Sequence, residues 1–89
     1  VLRVDGYPKL GRAFLLVGDM ESAVKHLERA RKRNPGYRPA LWDLARAYQT
    51  LGKQENAISI FRALSDLLDP DSRQGQQVAK ELERMGAKP

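Results

Sequence analysis

Few residues in this chain have the chemistry that a catalytic or metal site needs. His26 is the single histidine and there are no cysteines, so a transition-metal site would need several carboxylates around one imidazole. We interpret His26 as an ordinary surface residue of a helix. A hydrolase triad is also unsupported, because no histidine stands at a partner position for any of the serines, which are Ser22, Ser59, Ser65 and Ser72.

Two short motifs look catalytic but have simpler explanations. Gly52-Lys53 looks like the end of a phosphate-binding loop, yet Gln54 stands where that loop needs Ser or Thr, and its preceding glycine is missing. Asp69 and Asp71 are better explained as residues at the start of a helix than as an acid/base pair. We therefore predict a protein that is not an enzyme, with no catalytic, cofactor-binding or metal-binding residues and no cofactor.

Basic residues are in excess and are concentrated in one place. The net charge is +5, from 16 Lys and Arg against 11 Asp and Glu, and it favours acidic partners. A basic run at Arg29, Arg31, Lys32 and Arg33 invites nucleic acid, but no aromatic residue that could stack on bases lies among these cations. The run is better explained as the solvated end of a helix, where the helix dipole favours positive charge. Nucleic-acid binding is therefore the last of three functional hypotheses.

Hydropathy argues against membrane insertion. The longest uninterrupted apolar run, Ala13 to Val17, is far shorter than the roughly 20 residues that cross a bilayer. No charged and then apolar leader opens the chain. Because the chain starts at Val1 without a methionine, we expect it to be cut from a longer protein. A cytoplasmic location is favoured, and a periplasmic one stays open because an upstream leader would be lost with the cut.

One pattern of residues occurs twice, with a constant offset of 34 residues. The first copy contains Leu10-Gly11-Arg12-Ala13-Phe14, Gly18, Ala23-Val24 and Leu27, and the second contains Leu44-Ala45-Arg46-Ala47-Tyr48, Gly52, Ala57-Ile58 and Phe61. The pattern continues in the same register at Val78-Ala79, Leu82 and Gly86. A constant period of this length is typical of a solenoid, in which each unit buries its apolar face against the next.

This pattern resembles the tetratricopeptide repeat (TPR). We identify repeat one at 4–37, repeat two at 38–71, and a C-terminal half-repeat or capping helix at 72–86, all within one domain spanning 1–89. The resemblance implies an all-α fold in which antiparallel helix hairpins stack into a right-handed α-solenoid. Apolar spacing supports five helices, and we predict them at 6–17, 20–33, 38–51, 54–68 and 72–85.

Small residues and capping residues predict how these helices meet and end. Gly11 and Ala45 stand where two helices must approach closely. Gly18 and Gly52 stand where the first helix of each unit ends, since glycine adopts a positive φ without steric cost. Asp19 is well placed as the N-cap of the second helix. We expect the fifth helix to act as a polar cap that closes the stack.

The resemblance also implies where a ligand would bind, because the first helix of each TPR unit lines a concave groove. The groove residues that it implies here are Arg12, Leu15, Trp42, Arg46, Gln49, Arg73 and Lys80. Arg12, Arg46 and Lys80 recur every 34 residues, so we expect them to form a cationic ladder with one rung per unit. Trp42 lies one turn before Arg46 and is expected to anchor an apolar side chain of the ligand.

A well-known branch of the TPR family binds the C-terminal carboxylate of heat-shock chaperones through a lysine and asparagines. This chain departs from that pattern. Pro8 and Trp42 stand where the lysine is expected, and Arg12 and Asp43 replace asparagines. We therefore do not expect the carboxylate-clamp function here.

Two functional hypotheses come before nucleic-acid binding. In the first, the chain is a scaffold or adaptor that holds an acidic or amphipathic segment of another protein in the groove. In the second, it is a structural slice of a longer TPR superhelix, or a self-associating module, with no groove ligand. Leu15 and Leu16 favour the second hypothesis, because an upstream repeat unit or a second copy of the chain would cover them. We expect both to be exposed, since other apolar residues already fill the inner face of the first helix: Leu10, Phe14 and Val17.

Overall fold

The computed structural model describes residues 6–87, with the backbone alone for residues 6–8, and it contains five α-helices. They are α1 (Gly6–Leu16), α2 (Met20–Arg33), α3 (Arg38–Thr50), α4 (Gln54–Leu67) and α5 (Arg73–Arg84). Residues 6–87 contain no strand. The five predicted helices are therefore confirmed, and every predicted boundary lies within one residue of the observed one.

The helices stack in chain order as two hairpins followed by a fifth helix. α1 packs against α2, and α3 packs against α4. The hairpins meet where α2 and α1 contact α3, and α5 packs on α4. The stack measures 40 × 25 × 18 Å, an elongated shape. This arrangement confirms the predicted all-α solenoid of helix hairpins.

A glycine-dependent turn joins the two helices of each hairpin. Gly18 and Gly52 have φ angles of 84° and 76°, a left-handed conformation that favours glycine. The N–H of Gly52 donates to the carbonyl oxygen of Gln49 (3.0 Å), and the N–H of Lys53 donates to that of Tyr48 (2.9 Å). These hydrogen bonds satisfy carbonyl groups at the C-terminus of α3. The predicted role of both glycines is confirmed.

Side-chain caps fix where two of the helices begin. The Asp19 carboxylate accepts a hydrogen bond from the N–H of Ser22 (3.2 Å), which confirms Asp19 as the N-cap of α2. Hydrogen bonding to Ser22 lowers the pKa of the Asp19 carboxyl. The cap of α5 is Ser72. The interpretation of Asp69 and Asp71 as helix-start residues was therefore wrong, because both lie in the preceding turn, where the Asp69 carboxylate accepts the N–H of Asp71 (2.9 Å).

The core lies between the stacked hairpins and consists of apolar side chains. Its large, fully buried members are Leu27, Leu41, Leu44, Phe61, Leu64, Val78 and Leu82. Gly11 lets α1 approach α2 closely, since a Cβ atom at this position would lie 2.5 Å from the Cγ atom of Leu27. Ala45 is fully buried at the equivalent position of α3. The predicted use of small residues for close helix packing is confirmed.

His26 contacts a neighbouring helix. Its ring stacks on the ring of Phe14 in α1, with the ring centroids 5.0 Å apart, and its Nδ1 atom lies 2.9 Å from the carbonyl oxygen of Ser22. The ring is partly buried. The expectation that His26 is an ordinary surface residue was therefore wrong, because its partner belongs to another helix and is not visible from local spacing.

A polar contact at the edge of the core links α3 to α2. The Tyr48 hydroxyl donates a hydrogen bond to Glu28 Oε2 (2.5 Å), and Arg31 Nε donates to the other oxygen of the same carboxylate (2.6 Å). The Tyr48 residue is 5% exposed. Burial of the hydroxyl and its contact with the Glu28 carboxylate raise the pKa of Tyr48 to about 12.

We expect this contact to make the fold sensitive to alkali. The unfolded chain releases the Tyr48 proton near pH 10, whereas the folded chain keeps it until about pH 12, so the free energy of unfolding should fall as pH rises across this window. Tyr48→Phe should remove that part of the pH dependence. Denaturant unfolding at several pH values measures the slope, with tyrosinate absorbance recorded in parallel. An equally steep alkaline loss in the variant would contradict the assignment.

Candidate protein-binding surface

Arg12 of α1 forms an ion pair with Asp43 of α3, with 3.8 Å between Arg12 Nη1 and Asp43 Oδ2. The Arg12 side chain is 63% exposed, whereas that of Asp43 is only 15% exposed. Burial raises the pKa of the Asp43 carboxyl, and the guanidinium groups of Arg12 and Arg46 act in the opposite direction. Asp43 thus interacts with two rungs of the predicted ladder. In the sequence, Asp43 lies three residues before Arg46, so both residues lie on the same helix face. This spacing could have indicated that Asp43 belongs to the same surface.

Gln49 connects α3 to α5. Its amide donates a hydrogen bond to Glu81 Oε1 (3.0 Å) and lies 3.4 Å from the sulfur of Met85. Arg84 donates to the same oxygen of Glu81. The Gln49 hydrogen bond, with a smaller contribution from Arg84, lowers the pKa of the Glu81 carboxyl. Gln49 is partly buried and its amide is engaged within the domain, so it positions the two helices.

The surface between α3 and α5 is an open depression of about 230 Å³. Among the described residues, no Cα atom of α5 comes within 8 Å of one in α3, although α1 approaches α3 that closely. Trp42 and Arg46 line the depression from α3, and Gln77, Lys80 and Glu81 line it from α5. The structure therefore brings three of the predicted groove residues to one place: Trp42, Arg46 and Lys80.

The Trp42 ring is partly buried, and it packs edge-on against Phe61 of α4. The ring centroids lie 5.9 Å apart, and the ring planes make an angle of 76°. This contact holds the indole in place, so Trp42 both covers the core and contributes apolar surface to the depression. Gln77 was not among the predicted groove residues. Gln77 lies three residues before Lys80 on α5, and this spacing could have indicated that both residues lie on the same surface.

A family model described as tetratricopeptide repeat matches residues 14–81, which is most of the chain. The chain belongs to the tetratricopeptide-repeat family. The match confirms the resemblance that the repeated pattern indicated. TPR repeats generally mediate protein–protein interaction, and TPR proteins are typically non-enzymatic repeat scaffolds. A comparison with curated proteins found no match.

The exposed apolar pair on the first helix of this TPR chain differs from the expected one. Leu15 is partly buried and packs against the core, because it lies one turn after Gly11 on the face that meets α2. Val17 was expected on the inner face but is 78% exposed, since α1 ends at Leu16. Leu16 is 75% exposed, as predicted. The exposed pair is therefore Leu16 and Val17.

Arg73 and the basic run of α2 lie apart from the depression. Arg73 is exposed as the first residue of α5, and it is not among the residues that line the depression. The basic run occupies the C-terminal end of α2, where Lys32 and Arg33 are exposed. Because this run is on a different helix from the depression, charge reversals can separate the two surfaces.

Within residues 6–87, no helix is long and apolar enough to cross a membrane. No group of three His, Cys, Asp or Glu side chains in this range could hold a metal ion.

Proposed function

We propose that this TPR chain is an interaction module that binds an acidic or amphipathic segment of another protein on the surface of α1, α3 and α5. We call this surface the ladder face and define it by Arg12, Trp42, Arg46 and Lys80. The observation that carries the proposal is the depression between α3 and α5, which three of these residues line. It combines Trp42 and Arg46, two residue types that are enriched at protein interfaces, with a second cation, Lys80.

The remaining predicted groove residues have supporting roles in this proposal. Gln49 is engaged with Glu81, and Leu15 packs against the core, so both hold the helices that present the ladder face. Arg73 adds a positive charge at the start of α5. Together with the net charge of +5, these features favour encounter with acidic segments.

Arg46→Glu is expected to weaken binding of the native partner about tenfold, which is about 1.4 kcal/mol. The substitution replaces attraction with repulsion beside the bound segment. Lys32→Glu changes the net charge equally but lies on α2, and it should change Kd less than Arg46→Glu does, since exposed charge pairs contribute roughly 0–1 kcal/mol. Titration of both variants against the partner captured from the source organism, at two salt concentrations, measures the difference.

The two substitutions also separate the alternatives. Nucleic-acid binding predicts the opposite order, with the larger loss for Lys32→Glu and a steep dependence on salt. Equal losses would mean that only the net charge matters, and the ladder face would then be rejected. Circular dichroism of each variant controls for loss of fold, which is not expected because both side chains are exposed.

The exposure of Leu16 and Val17 supports a second candidate function, contact with a further repeat unit or with a second copy of the chain. The two residues are adjacent, and they are 75% and 78% exposed. Burying a large apolar side chain contributes roughly 1.5–3 kcal/mol, so this pair can stabilise an interface.

Substitution of Leu16 and Val17 by serine should leave the monomer folded and reduce self-association. Sedimentation over a range of concentrations measures the oligomeric state. Leu67→Ser is the matched control, because Leu67 is also exposed (44%) but lies on α4. If the unmodified chain is monomeric at every concentration, self-association is ruled out and only contact with a further repeat unit survives.

A further inference from the structure

Resting on the proposed function, we infer that the depression between α3 and α5 recognises one carboxylate side chain of the partner together with an adjacent apolar side chain. Arg46 and Lys80 bind the carboxylate, and Trp42 contacts the apolar side chain. The occupant is thus an acidic–apolar pair of residues within a segment of another protein. The predicted ladder of three rungs is reduced to two cations that contact the ligand.

The three rungs differ in whether they form an ion pair with a carboxylate of this chain. Arg12 has the Asp43 carboxylate at 3.8 Å. Within the part of the chain that the structure describes, neither Arg46 nor Lys80 has a carboxylate oxygen within 4.0 Å. Charge complementarity therefore favours an incoming carboxylate at Arg46 and Lys80 over one at Arg12.

The acidic side chains near the depression are engaged by neighbouring groups. Asp43 is mostly buried against Arg12, and Glu81 accepts hydrogen bonds from Gln49 and Arg84. These carboxylates therefore repel an incoming acid less than free ones would. Of the residues that line the depression, two are cations and one is a carboxylate, a net charge of +1: Arg46, Lys80 and Glu81.

The size and rigidity of the depression also favour a pair of side chains. Its volume of about 230 Å³ is below the roughly 300–1,000 Å³ of pockets that enclose small molecules. The indole of Trp42 is held by Phe61, so little side-chain ordering is needed when an apolar group packs against it. A fixed aromatic surface beside two exposed cations matches an apolar residue next to an acidic one.

The test uses the whole chain and a displayed library of random short peptides as the probe. We expect the enriched peptides to share Asp or Glu directly next to an aromatic or large aliphatic residue. One such peptide is then titrated beside a copy in which an amide replaces the carboxylate, and the acid should bind about tenfold more tightly. Arg46→Ala combined with Lys80→Ala should abolish this preference. Lys32→Ala on α2 is the matched control that should leave the preference unchanged.

Each contrary outcome identifies which proposal has failed. Enriched peptides without an acidic residue, or a preference that survives in the double variant, would overturn the inference and leave the proposed function standing. Loss of the preference in Lys32→Ala would mean that it follows the net charge, and would likewise overturn the inference. No enrichment over an unrelated control protein would contradict the proposed function itself.

Discussion

Removal of residues 72–89 is expected to lower the free energy of unfolding by about 5 kcal/mol, a loss comparable to the whole stability of a small domain. Val78 and Leu82 of α5 are fully buried, and burying a side chain of this size contributes roughly 1.5–3 kcal/mol. The deletion also exposes the apolar face of α4 on which α5 packs. The truncated chain should therefore be largely unfolded at room temperature.

Thermal and denaturant unfolding of both chain lengths measure this loss. A matched pair of point variants localises it. Leu82→Ala should cost about 2–5 kcal/mol because Leu82 is fully buried, whereas Leu16→Ala should cost about 0.5 kcal/mol or less because Leu16 is 75% exposed. An unchanged midpoint after truncation, or equal losses from the two leucine variants, would show that α5 is not a stabilising cap.

Gly75→Ala is expected to destabilise the fold by about 3 kcal/mol, although alanine is the best helix former. A Cβ atom at Gly75 would lie 2.1 Å from the carbonyl oxygen of Asp69, far inside van der Waals contact. Because the obstructing atom belongs to the backbone, it cannot rotate away as a side chain would. Either the first turn of α5 or the turn before it must move.

That movement would disrupt the cap of α5. The Ser72 hydroxyl donates to the Asp69 carbonyl oxygen (2.6 Å) and accepts from the N–H of Gly75 (3.0 Å). Gly36→Ala is the control, because a Cβ atom there would meet nothing within 4 Å and Gly36 does not have a positive φ. It should be neutral or stabilise by roughly 0.4–1 kcal/mol. Denaturant unfolding compares the two variants, and similar effects would disprove the close approach at Gly75.

The contrast between Gly11 and Gly75 shows which small residues can be recognised from sequence. Gly11 recurs as Ala45 after 34 residues, so its role in helix packing was predicted from the repeat. Gly75 has Tyr7 and Leu41 at the equivalent earlier positions, and nothing in the repeat marks it. Its constraint comes from the path of the backbone at Asp69, which is specific to the turn before α5.

The sequence by itself determined the helices, their boundaries and the order in which they stack. These features follow from apolar residues that recur on one helix face, from glycines that allow a left-handed turn, and from a period that repeats the same packing. The family followed from the same residues. For the candidate site, the sequence predicted only which residues occupy groove positions.

The tertiary structure decided which of those positions are open to a ligand. Arg12 is paired with Asp43 and Gln49 with Glu81, across separations of 31 and 32 residues, so neither contact is visible as local spacing. Leu15, which was expected to be exposed, is partly buried by the packing of α1 against α2. Repetition predicts that equivalent residues occupy equivalent places on their helices. Whether each is exposed, paired or buried depends on side chains of neighbouring units, which differ from repeat to repeat and are brought together only when the helices pack.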